Sequence, residues 1–158
     1  MTRGFKACVH TSVDTARKSA CATFLLMLFA ISTLHAATFY VTVAGLGGEP
    51  DYEQRFNMLA DDIDKLVKPS GPTETLKGLA ATKANVKSAL EKVARESKSQ
   101  DALVLMLIGH GTFDGIDYKM NLPGPDLSAT ELAAMLNRIP AGRQLVVNMT
   151  SASGASLN

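Results

Sequence analysis

The sequence predicts an α/β domain in which a mostly parallel sheet carries helices on both faces. Three observations point there. Uncharged runs rich in β-branched and aliphatic residues recur at 38 to 44, 103 to 108 and 145 to 149. Segments with apolar residues at helical spacing lie between them, and strands alternating with such helices are joined by crossovers into a parallel sheet. The run at 103 to 108 (LVLMLI) is apolar at every position, as a strand covered on both faces must be.

The first strand, TFYVTVA at 38 to 44, is β-branched and aromatic and ends at Gly45. After the loop GLGGEP, Tyr52, Phe56, Leu59, Ile63 and Leu66 recur at intervals of four and three. This predicts one inward helix face, closed by Pro69, Gly71 and Pro72. Residues 75 to 79 are expected as a weak second strand. Thr82 is placed to cap a second helix that turns Val86, Leu90 and Val93 inward and Lys83, Lys87, Glu91 and Lys92 outward. The apolar strand at 103 to 108 follows. Ser128-x-x-Glu131 is a capping-box pattern opening a third helix with Leu132, Leu136 and Ile139 inward, ended by Pro140 and Gly142. Residues 145 to 149 form the last strand. The chain stops nine residues later without a closing helix, so C-terminal elements of the domain are expected to be missing.

The chain has 158 residues, of which 46% are hydrophobic and 20% charged, with a net charge of +1 and two cysteines. That is one domain's worth, too apolar for disorder and too poor in cysteine for a disulfide scaffold. Balanced charge and few aromatics exclude an extended nucleic-acid groove. Both cysteines, Cys8 and Cys21, fall in the first 36 residues. There Arg3, Lys6, Arg17 and Lys18 precede the uncharged run ACATFLLMLFAISTL, and Leu34-His35-Ala36 offers a small residue for cleavage. Residues 1–36 are therefore read as a signal peptide, and residues 37–158 as an exported domain, periplasmic or extracellular. The apolar core of about 15 residues falls short of a spanning helix, so no stable membrane insertion is expected after cleavage; an uncleaved leader would anchor the chain. The remaining 122 residues hold no cysteine and 12 basic against 14 acidic residues.

In open parallel sheets, ligands bind in the crevice outside the carboxyl ends of the strands. Three segments emerge there. GLGGEP at 45 to 50 shares its first glycines with a dinucleotide phosphate loop, which makes a nucleotide-binding domain an alternative reading. Pro50, however, occupies the third glycine position, and Glu49, Asp51 and Glu53 suit a helix N-terminus better than a pyrophosphate. Gly109-His110-Gly111 puts an imidazole at a strand end between two glycines that permit close backbone approach. His110 with Asp114 and Asp117 is only a weak metal set, and no metal or cofactor is expected. Thr150 to Ser156 carries small and hydroxyl residues. If the second and third of these strands are neighbours about 4.8 Å apart, His110 and Ser151 emerge side by side as base and nucleophile, with the Gly111 N–H as oxyanion donor.

These residues resemble the caspase and legumain superfamily of cysteine peptidases, the legumain type above all. An apolar strand runs into His-Gly (LVLMLIGHG, 103 to 111), and the next strand ends at a segment, LVVNMTSASG at 145 to 154, similar to the one around the family's catalytic cysteine. The separation from His110 to Ser151, 41 residues, suits legumains. The resemblance implies a three-layer caspase-like fold, peptide or protein substrates, His110 as the catalytic histidine and Gly111 as the oxyanion backbone. Ser151 stands where the family has its cysteine. A hydroxyl needs a tightly coupled base where a thiol does not, so the implied function is a degenerate, peptide-binding pseudopeptidase, with an active Ser151/His110 hydrolase as the alternative.

Overall fold

The computed structural model describes residues 36–157; the expected signal peptide and both cysteines lie outside the described residues, apart from Ala36. Strands β1 (Thr38–Ala44), β2 (Thr73–Leu76), β3 (Ala102–Gly109) and β7 (Arg143–Thr150) form a four-stranded sheet in the order β2-β1-β3-β7. Every pairing in it is parallel. Helix α1 (Pro50–Val67) covers one face, while α2 (Lys83–Glu96) and α3 (Ala129–Leu136) pack on the other, giving a three-layer α/β fold.

The pleat divides the strands between two cores. Val41, Val43, Leu103, Leu105 and Leu107 point toward Val86, Leu90 and Val93 of α2 and Leu132 of α3. Each of these aliphatic side chains contributes about 1.5–3 kcal/mol by leaving water. Ala44 and Ile108 point the other way, against Ala60 with Phe56 and Ile63 of α1. The caps follow the sequence closely. Thr82 Oγ1 accepts the Asn85 N–H at 3.2 Å, and both bonds of the Ser128/Glu131 capping box form. Lys83 then holds the same Glu131 carboxylate through both its oxygens, at 2.9 and 3.0 Å, which ties α2 to α3.

Two expectations need correction. The five-residue inward face of α1 is narrower than its spacing implies. Phe56, Ala60 and Ile63 meet the sheet, whereas Tyr52, Leu59 and Leu66 stay exposed, because α1 lies mainly over β1 and β2. The weak second strand expected at 75 to 79 also lies earlier, at Thr73–Leu76. Strands β4 (Gly111–Phe113), β5 (Tyr118–Met120) and β6 (Leu127–Ser128) make a second, antiparallel sheet.

Strand β7 is an edge. Leu145, Val146 and Met149 are all exposed, so both of its faces carry uncovered apolar side chains, and its outer main chain has no partner strand among the described residues. No described helix is long and apolar enough to cross a membrane.

Candidate active site

The site is built where β3 and β7 end. Gly109 pairs with Thr150 in the parallel register, so His110 and Ser151 are the next residues out of two adjacent strands. His110 Nδ1 lies 3.1 Å from Ser151 Oγ, within hydrogen-bond reach. His110 is half-buried and Ser151 exposed, so the hydroxyl is open to solvent.

The aromatic rings of α1 hold the imidazole from one side. Tyr52 and Phe56, one helical turn apart, meet His110 edge-on with centroids at 5.2 and 5.3 Å and interplanar angles of 71°. These contacts brace one side of the ring, while Nδ1 faces Ser151 Oγ. No described residue hydrogen-bonds His110 Nε2.

Glycine is required around the imidazole by close approach. Gly109 has φ +146° and packs on the backbone of Gly45. At Gly111 a Cβ would fall 2.6 Å from the Ser151 carbonyl oxygen and 2.5 Å from the Tyr118 ring. Gly111 faces Met120 across the β4–β5 ladder, and the neighbouring Asn121 N–H donates to the His110 carbonyl at 3.0 Å. That alternation makes Gly111/Met120 a pair without mutual ladder bonds, which turns the Gly111 N–H away from β5.

The turn after β7 is held from beneath. Ala152 has φ +55°, alone among the described residues other than glycine in having positive φ. Such a conformation costs of order 1–3 kcal/mol and persists only where its surroundings impose it. Below the turn, Tyr118 OH bonds Thr150 Oγ1, and Thr150 Oγ1 donates to Asn148 Oδ1 at 2.8 Å.

The other residues singled out by sequence lie apart from this pair. The Gly47 N–H, which a phosphate would need, donates to Glu53 Oε2 at 2.9 Å, and a Cβ at Gly47 would fall 2.3 Å from the Glu53 nitrogen. The glycine is thus explained by a tight strand-to-helix turn. Asp114 accepts the Ile116 and Asp117 N–H groups and a 2.8 Å bond from Lys119. Lys119 first, then those amides, hold its carboxyl well below the usual carboxylate range. It closes the β4–β5 hairpin, and no group of three metal-ligating side chains is assembled among the described residues. A cleft of about 720 Å³ between α2, α3 and the Pro123–Pro125 loop includes neither His110 nor Ser151 in its lining. Chemistry rather than concavity therefore marks the site. Tyr52, Phe56 and Tyr118 were not legible as site residues: the first two read as helix core, and the third sits in a strand whose only signal is the Tyr118/Met120 alternation around Lys119.

No protein-family model matches the chain. No curated protein matches it. Among solved structures it is similar to protein GSU0716 from Geobacter sulfurreducens, with a TM-score of 0.55 at 23% identity. The match covers 73% of this chain and 50% of that one, so the chain spans about half the length of this neighbour. At that identity the likeness concerns the fold.

Proposed function

We propose that this domain is a peptide hydrolase of the caspase and legumain type in which a Ser151/His110 pair replaces the thiol–imidazole pair. The observation that carries the reading is the 3.1 Å contact between His110 Nδ1 and Ser151 Oγ at the ends of adjacent strands. In the base role, His110 carries its proton on Nε2 and leaves Nδ1 to accept. Ser151 Oγ attacks the substrate carbonyl carbon as its proton passes to Nδ1, and the carbonyl oxygen, now an oxyanion, takes the Gly111 N–H. Collapse breaks the bond to the leaving amine, which receives the proton from His110. Water then repeats the sequence on the acyl-serine and restores Ser151.

The test is reaction of the full chain with a fluorophosphonate probe. Covalent labelling at Ser151, abolished in Ser151→Ala and His110→Ala, is the expected result; a folded protein that takes no label rejects the hydrolase.

A second reading has its own support. No described residue holds His110 Nε2, and a hydroxyl depends on an oriented base more than a thiol does. On that ground the crevice belongs to a pseudopeptidase that binds a peptide without cutting it. Absence of labelling together with peptide binding that Gly111→Val abolishes would select this reading. Under either, the domain acts outside the cytoplasm, and an N-terminal sequence of the exported product beginning near Ala37 is the check on that placement.

A further inference from the structure

We propose that Tyr118 is the positioning residue of this site: it ties the start of β4, at the residue after His110, to the end of β7 and so sets the separation of His110 from Ser151. The inference rests on the Ser151/His110 reading and adds a residue that touches neither substrate nor reacting atoms.

Tyr118 is 2% exposed and sits in the central strand of the small sheet, paired with β4 on one side and flanked by β6 on the other. Its ring lies under Gly111, where a Cβ would come within 2.5 Å of a ring carbon. Its hydroxyl bonds Thr150 Oγ1, on the residue before Ser151. One side chain thus touches the residue after the base and the residue before the nucleophile.

The direction of each hydrogen bond follows from its neighbours. Asn148 Oδ1 accepts the Thr150 N–H at 3.2 Å, which fixes the amide's orientation. Asn148 Nδ2 therefore donates to Ser156 Oγ at 3.1 Å, and Ser156 Oγ donates to the Ser153 carbonyl at 2.6 Å. Thr150 Oγ1 gives its proton to Asn148 Oδ1 at 2.8 Å in preference to the Ser151 carbonyl at 3.2 Å. Its lone pairs are then left for the Tyr118 O–H. The donor chain runs from Tyr118 through Thr150 to Asn148, and from Asn148 through Ser156 to Ser153, passing beneath the turn that holds Ala152 at φ +55°. The phenolic hydroxyl anchors that chain to the His110 side of the crevice. A phenylalanine would fill the same space under Gly111 without joining the strand ends.

Tyr118→Phe is therefore the decisive variant, made in the full chain. Its maximal rate of fluorophosphonate labelling is expected to fall about ten- to a hundredfold with the half-saturating probe concentration unchanged, since about 1 Å of misplacement costs about 10²-fold. The ¹⁵N and ring-proton NMR signals of His110 are expected to move toward those of Ser151→Ala, which removes the partner entirely. Thr150→Val should reproduce Tyr118→Phe, the double variant should be no slower than either, and Thr150→Ser, which keeps the hydroxyl, should behave as the parent. The Thr150 pair supplies the same comparison should Tyr118→Phe not fold. Parental labelling in folded Tyr118→Phe, or His110 signals that stay in place while those of Ser151→Ala move, overturns the positioning role and leaves the dyad standing. His110 signals identical in the parent and in Ser151→Ala overturn both. The NMR comparison holds for a parent that takes no label.

Discussion

Gly111→Ala adds one methyl group at the start of β4, against the residue that follows β7, and it isolates geometry from chemistry because alanine keeps the backbone N–H. The new Cβ would stand 2.6 Å from the Ser151 carbonyl oxygen and 2.5 Å from the Tyr118 ring, where ordinary contact begins at 3.4 Å. Relief requires movement of about 0.8 Å, and one of the two obstacles is the backbone of Ser151 itself. If Ser151 moves by that amount away from His110, the 3.1 Å contact opens beyond hydrogen-bond range. Overpacking of this kind costs about 1–3 kcal/mol of stability, and misplacement of about 1 Å costs about 10²-fold in rate. Urea unfolding followed by circular dichroism measures the first, and fluorophosphonate labelling of the folded variant the second. A variant that labels at the parental rate with an unchanged urea midpoint would refute the claim that the strand ends are packed backbone to backbone at Gly111.

Three further outcomes are expected. Ser128→Ala removes the acceptor for the Glu131 N–H and should lower unfolding free energy by about 1 kcal/mol, read from urea denaturation. The carboxyls of Asp101, held low by the Ala37 and then the Lys98 amide, and of Glu131, held low by Lys83 and then the Ser128 amide, have folded-state pKa values below their ordinary ones. Their contribution is therefore present above the ordinary carboxylate range, about pH 4, and is lost as pH falls through the depressed values. The urea midpoint should drop on acidification below about pH 4, less steeply in Asp101→Asn. Ser151→Cys should make position 151 react with iodoacetamide at least about tenfold faster than the same substitution combined with His110→Ala, by peptide mapping that separates it from Cys8 and Cys21.

The elements that repeat a local rule were legible in the sequence. The 38 to 44 strand, the Thr82 cap and the Ser128/Glu131 box each depend on residues a few positions apart, and all three stand as read. The pairing of His110 with Ser151 was legible too, because parallel neighbours carry their ends to one edge. What escaped depends on distance. The three strands of the small sheet are two or three residues long, too short for alternation to declare itself, and Tyr118 matters only through Gly111 and Thr150. The width of the α1 contact face escaped for a related reason: periodicity gives a helix its stripe, but the position of the sheet beneath decides how much of that stripe is used.

Among the described residues, the bare margin of β7 sets a condition on how residues 36–157 can be handled on their own. RQLVVNMT holds one charge, at its first residue, and neither proline nor a bulge interrupts it. Edge strands of soluble proteins carry such devices to stop chains from adding on, and eight uninterrupted residues without them make a template for cross-β growth. The strand that carries Ser151 at its end is thus also an open template for precipitation in a preparation limited to residues 36–157. A lysine in place of Val146, on the open margin and remote from the turn, should raise its solubility limit.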